Sequence, residues 1–364
     1  MRALINTIAI LSASILTSAS DLYAQPGFGI AQRINSGWFF HLGGKGEEKD
    51  IKDMNDNAWK PVMLPHDWGV KYPLSPNLAS ATGYLPGGIG WYQKQLAIPV
   101  ADQGKKIFLY FEGVYNRSEV FVNGKSVGKR PNGYVSFSYD ISPYIVFGKE
   151  NTIAVKVDHS QNADSRWYTG SGIYRDVWLV KASQLHIDQW GVYAYPELKG
   201  GEGILNTEIT VVNGSTAASP ITVQQELIEE GGKLVTKKSE KLRVKAGDKE
   251  TVLQQLGVKN PSLWTLDQPI QYTLRTTLWQ NGKKIDQSEV KTGFRTFTFD
   301  PNKGFALNNE WMKVKGVCLH HDAGVLGSEV YTEVWKRRLL TLKSLGVNAI
   351  RTSHNPQASS LYSL

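Results

Sequence analysis

The chain holds a single cysteine, Cys318, so no disulfide can form within it, and its stability must come from core size rather than cross-links. Clustered charge is also missing. Lys plus Arg number 41 and Asp plus Glu 33, an excess of 41 − 33 = 8, yet no basic block is longer than Lys336-Arg337-Arg338. A scattered excess reads as a solvated surface, which argues against a nucleic-acid or polyanionic partner. Helical periodicity is scarce before the last fifty or so residues, and apart from His186 the stretch 183–297 has no grouping of histidines and acids. What the chain does have is aromatic: 11 Trp, 16 Tyr and 12 Phe, flat faces that fill cores and also suit sugar rings.

Arg2, the apolar run from Ala3 to Leu16 and small residues leading to Ala24 read as a secretory signal peptide over 1–24. Cleavage is expected after Ala24, leaving Gln25 first, with a competing site in the Ser/Ala run at 17–20. The protein is therefore expected to be exported to the periplasm or beyond, with no membrane span. No cysteine lies near the cut, which disfavours a lipid anchor. Cys318 falls in a strand and reads as buried packing rather than a nucleophile.

Residues 25–182 alternate in β fashion at Ile107 to Phe111, Glu119 to Val122, Tyr134 to Tyr139 and Thr152 to Val157, with a hairpin turn at Asn123-Gly124. Short strands with no helix between them predict a jelly-roll β-sandwich. The segment before these strands, with Leu64-Pro65-His66-Asp67-Trp68 and Tyr84 to Tyr92, is loop-rich, and its glycines allow close approach to another domain or a ligand. The domain closes on Asp164 to Leu179, where Arg175 and Asp176 either pair, cap backbone groups, or send a carboxylate into a neighbouring pocket.

Residues 183–297 show further strands at Ile204 to Val212, Ile221 to Ile228, Lys233 to Leu242 and Tyr272 to Trp279, with turns at Asn213-Gly214, Gly231-Gly232 and Asn281-Gly282. They predict an immunoglobulin-like sandwich acting as a spacer, with His186 at its surface or at a strand end.

Residues 298–364 change character. Met312 to Leu319 reads as a strand ending in His320, His321 and Asp322. A helix follows from Thr332 as N-cap, with Val334, Trp335, Leu339, Leu342 and Leu345 at helical spacing and Gly346 stopping it. Val347 to Ile350 is a second strand, closed by Arg351, Thr352, Ser353, His354, Asn355 and Pro356. Strand, helix and strand make a right-handed βαβ unit with polar clusters at the strand C-termini, where a (β/α)₈ barrel keeps its active site. Two strands cannot close such a barrel, so we read this as its truncated start and the chain as the front part of a longer enzyme.

The order of signal peptide, jelly roll, immunoglobulin-like sandwich and barrel start resembles glycoside hydrolase family 2. So do the phrases Gly172 to Val177, Gly316 to Asp322 and Asn348 to Pro356. Within the family the text is most similar to secreted bacterial β-galactosidases, with β-glucuronidases and β-mannosidases as neighbours. The resemblance implies that His320 and His354 contact the sugar at the cleavage subsite, that Arg351 lies on the barrel floor, and that Asp176 enters the sugar site from the first domain; Asn355 is counted with these substrate-binding residues. It further implies retaining hydrolysis by two glutamates. Both are expected beyond Leu364, so these residues alone should show no turnover. Asn309-Glu310 imitates the acid/base dipeptide but precedes the first barrel strand, and is rejected. Gly87-Gly88-Ile89-Gly90 departs from the family, some of whose β-galactosidases carry a polar residue there.

The expected partner is an oligo- or polysaccharide with terminal β-galactose. No cofactor is required, and an activating Na⁺ or Mg²⁺ is left open. His320, His354 and Asp176 are expected to converge on one hollow the size of a pyranose ring. Two rivals stand beside this reading: a metal hydrolase using His320, His321, Asp322 and His354, which strand alternation opposes, and a non-catalytic carbohydrate-binding protein.

Overall fold

The computed structural model describes residues 26–43, 59–161 and 165–364. The signal peptide and its cleavage site, and Asp164 of the closing phrase, lie outside the described residues.

The first domain is a sandwich of two antiparallel sheets. One has the order Lys60–Val62, Trp38–Leu42, Gly88–Ala97, Glu150–His159, Ser118–Val122, Lys125–Arg130. The other runs Ile30–Arg33, Val177–Ala182, Lys106–Phe111, Phe137–Asp140. Alternation builds the core. In Glu150–His159, Ile153, Val155 and Val157 are fully buried while Thr152, Lys156 and Asp158 are not. They meet Trp38, Phe40, Trp68, Tyr92, Leu109 and Phe111 in one cluster. Asn123 and Gly124 both take positive φ, 50° and 77°, as a two-residue hairpin turn with native twist requires.

The stretch from Tyr84 to Tyr92 is only partly loop, because a ten-residue strand begins at Gly88. Its glycines serve the domain's own packing: a Cβ on Gly90 would stand 2.6 Å from the Trp68 ring and 2.8 Å from that of Phe40. The strand expected from Tyr134 begins at Phe137, because Asn132 Oδ1 accepts the Tyr134 and Val135 amides and turns the chain first.

The second domain pairs a three-stranded sheet, Leu185–Lys199, Glu202–Asn213, Lys249–Lys259, with a four-stranded one, Leu234–Val244, Ser219–Glu229, Tyr272–Gln280, Lys283–Thr292. His186 starts the first of these strands but is not a surface residue. It is 4% exposed, its ring lies 5.7 Å from that of Phe108 in the first domain, and burial lowers its pKa. Apolar contact between the domains covers it.

At the C-terminal end the run Met312 to Leu319 splits. Asn308 and Asn309, with φ of 50° and 67°, fold Glu310–Met312 back onto Gly304–Leu307, giving a small antiparallel sheet with Phe297–Asp300. The first barrel strand is Gly316–Leu319. It pairs in parallel with Ala349–Thr352, Cys318 opposite Arg351. Asn348 fixes the break between them, accepting from Lys315 N and donating to Lys313 O.

The helix Thr332–Ser344 joins the two strands, with Tyr331 rather than Thr332 as the N-cap. Of its apolar stripe only Trp335 is buried, and Leu345 is 74% exposed. Cys318 is also exposed, against expectation, since a two-stranded sheet gives it no second layer to pack on among the described residues. No helix of the described residues is long and apolar enough to cross a membrane.

Candidate functional site

Because Leu319 pairs with Thr352, the residues just past each strand end are neighbours. The rings of His320 and His354 stand 5.5 Å apart, edge to face at 85°. Trp167, from the loop closing the first domain, packs over both, 4.8 Å from His354 and 6.1 Å from His320, and its indole N–H donates to the Tyr134 hydroxyl at 3.2 Å. Arg351 Nη1 lies 2.9 Å from His354 Nδ1 and 2.9 Å from Ser353 Oγ. A guanidinium only donates, so His354 Nδ1 accepts and its own N–H is on Nε2, free to serve as a donor elsewhere.

The adjacent histidine does something else. His321 is 3% exposed, lies between the rings of Tyr134 and Tyr174, and its Nε2 bonds the Thr169 carbonyl at 3.0 Å. Consecutive residues leaving a strand face opposite ways, which sends His320 to the tryptophan and His321 into the interface between barrel and sandwich. Among the described residues no three His, Cys, Asp or Glu side chains stand where they could share a metal ion.

Burial pushes the pKa of His321 down to about 4. An unfolded histidine titrates near 6.5, so between these values the unfolded chain binds the extra proton, and this group's contribution to stability is lost as pH falls from about 6.5 towards 4. The loss is about 2 kcal/mol at pH 5. His321→Gln places an amide N–H near the position of Nε2, keeps a donor for Thr169 O and cannot titrate. Urea unfolding at pH 8 and pH 5 should therefore show a smaller acid loss in the variant than in the parent. Equal losses would mean that His321 is protonated in the fold at little penalty.

Asp176 is placed apart from this cluster. Its Oδ1 accepts from Asn35 Nδ2 at 2.7 Å and its Oδ2 lies 3.6 Å from Arg33 Nη1. It lines a cleft of about 920 Å³ shared with Glu112, Arg175, Trp178, Trp335 and Gln357; His320, Arg351 and His354 are not in its lining. Of the three residues expected to share one hollow, His320 and His354 stand together, and Asp176 lines a cleft that neither of them lines.

Neither did Arg175 and Asp176 pair. Arg175 is buried and donates to the carbonyls of Tyr134 and Pro356, tying the sandwich to the loop after the second barrel strand. Its neighbour consequently faces the other way. Burial and the Asp176 charge raise the pKa of Glu112 to about 7, so this cleft holds a carboxyl that titrates near neutrality. Asn355 is half-buried, and its carbonyl lies 3.4 Å from Gln357 Nε2.

Trp167, which packs over both histidines, stands in the aromatic pair before Gly170, a position with no other sequence signal of a site residue. Asp67, whose Oδ2 accepts from the Tyr168 and Ser328 hydroxyls, was not among the expected site residues either. Its only sequence signal is an acid set between His66 and Trp68 in an otherwise apolar stretch.

Residues 56–183 match the model for the glycosyl hydrolases family 2 sugar binding domain, 185–295 the glycosyl hydrolases family 2 model, and 301–364 the glycosyl hydrolases family 2 TIM barrel domain. A β-galactosidase of Bacteroides ovatus is 43% identical over 91% of this chain, and a putative β-glucuronidase of Formosa agariphila 34% over 96%. The chain spans 39% and 33% of their lengths.

Among solved structures, a family 2 member from Bacteroides cellulosilyticus superposes with a TM-score of 0.85 at 32% identity, covering 92% of this chain and 44% of that one. A β-glycosidase from Bacteroides vulgatus gives 0.84 at 37% identity, with 92% and 43% covered. With two β-sandwiches leading into a parallel βαβ unit, and three family models following one another along it, the chain belongs to glycosyl hydrolases family 2.

Proposed function

We propose that the protein to which this chain belongs is a retaining β-galactosidase that removes terminal galactose from an oligo- or polysaccharide. The observation that carries the reading is the cluster of Trp167, His320 and His354 at the C-terminal ends of two parallel barrel strands. A tryptophan face accepts the apolar C–H face of a pyranose, and the Nε2–H of His354 is a donor for a ring hydroxyl. The two carboxylic acids that a retaining mechanism needs, about 5 Å apart, are proposed to lie in sequence following Leu364. The residues of this chain orient the sugar, and those acids make and break the bond. Identity of 43% to a β-galactosidase supports galactose, and relatives named "Putative beta-glucuronidase" at 34% and "Beta-glucuronidase" at 31% favour glucuronate as the second reading.

The test is hydrolysis of 4-nitrophenyl β-galactoside and β-glucuronide by the full-length protein, with the anomer released followed by NMR. Galactoside is expected to be preferred at least tenfold in kcat/KM, with the β-anomer of galactose appearing first. Preference for the glucuronide would transfer the proposal to the second reading, and release of the α-anomer would remove the retaining mechanism.

A further inference from the structure

We propose that Asp67 is a positioning residue for the sugar platform: its carboxylate joins the first-domain loop bearing Trp167 to the barrel loop that follows His320, and sets the distance between them. The inference rests on the glycosidase reading of that platform.

Asp67 is fully buried, and five donors converge on it. Oδ1 accepts from the amides of Gly69 and Ser171, at 3.0 and 2.9 Å. Oδ2 accepts from the Tyr168 hydroxyl at 2.6 Å and from both the amide and the hydroxyl of Ser328, at 2.9 and 3.0 Å. Tyr168 adjoins Trp167 in sequence, and Ser328 lies in the loop that leaves the first barrel strand through His320. The two halves of the platform therefore meet on one oxygen atom.

The joint is reinforced from the other side. Asp67 N donates to Glu329 Oε1 at 2.8 Å, and Glu329 Oε2 takes Lys71 Nζ at 2.9 Å. Two glycines let the loops approach this closely: a Cβ on Gly170 would stand 1.8 Å from Ser328 Oγ, and one on Gly327, which has φ of +57°, would stand 2.3 Å from Asp67 Oδ2.

A carboxylate is the one side chain that fits this joint, because it only accepts, and all five partners only need to donate. An asparagine would turn an NH₂ towards N–H or O–H groups and force one loop away. A joint serving stability alone would leave the turnover of the folded enzyme unchanged. A joint that sets Trp167 over the histidines makes its effect on turnover depend on Trp167, and a double-mutant cycle reads that dependence.

The experiment uses the full-length protein and 4-nitrophenyl β-galactoside. Asp67→Asn is expected to lower kcat/KM about 100-fold, the scale of an ångström-sized misplacement of a substrate-orienting group. Tyr168→Phe removes one donor and leaves the remaining four, so it keeps the fold and gives about tenfold. In a Trp167→Ala background, Tyr168→Phe should cost less than twofold. Independent losses, with the Tyr168→Phe effect the same in both backgrounds, would overturn the proposal, as would a Tyr168→Phe variant with parental kcat/KM. If Asp67→Asn does not fold, the Tyr168→Phe cycle decides. A parent protein inactive on every aryl glycoside would instead fail the glycosidase reading and take this inference with it.

Discussion

Truncating His354 to Ala in the full-length protein should lower kcat/KM on an aryl β-galactoside by about 10²- to 10³-fold, the usual loss when a preorganised hydrogen-bond donor at a reacting centre is removed. The geometry gives the reason. Arg351 holds His354 Nδ1 at 2.9 Å, which fixes the tautomer, and Trp167 at 4.8 Å fixes the plane of the ring. A donor so held needs no reorganisation when charge develops on the sugar. His354→Phe retains a ring against Trp167 and removes the donor, so it should lose nearly as much as the alanine variant and in kcat more than in KM. If His354→Ala stayed within threefold of the parent, the cluster at the strand ends would not be the sugar site, and the cleft lined by Asp176 and Glu112 would become the place to look.

Trp68→Ala should destabilise the first sandwich by about 3–5 kcal/mol, the range for deleting a large aromatic from a packed core. The ring is fully buried, stacks on Phe40 at 5.4 Å between centroids, covers the strand at Gly90, and donates from Nε1 to the Gly87 carbonyl at 3.2 Å. The cavity would adjoin Asp67, so the loss should extend to the packing between sandwich and barrel. Differential scanning calorimetry on parent and variant would measure it. A shift of less than about 1 kcal/mol would mean that Phe40 and the Gly90 strand collapse into the space.

Much of the architecture was legible in order along the chain, because strands announce themselves locally. The alternation in Thr152 to Val157, the Asn123-Gly124 turn and the polar clusters after two short apolar runs each depend on neighbours a few residues apart. Errors fell where a distant partner decides. Gly88 to Gly90 look like a loop until the rings of Trp68 and Phe40 are laid on them, and His186, expected at the surface or at a strand end, starts a strand but is covered by Phe108 of the other sandwich.

The site divides in the same way. That His320 and His354 would stand together followed from the sequence alone, since parallel strands of a βαβ unit bring their C-terminal ends side by side. That Asp176 would line a cleft with Glu112 that neither histidine lines, that Trp167 would roof the histidines, and that one carboxylate at Asp67 would receive two loops 101 and 261 residues away were decided only by tertiary structure. Periodicity says which face of its own strand a side chain takes; where that face points depends on how whole sheets pack, and no local pattern encodes that.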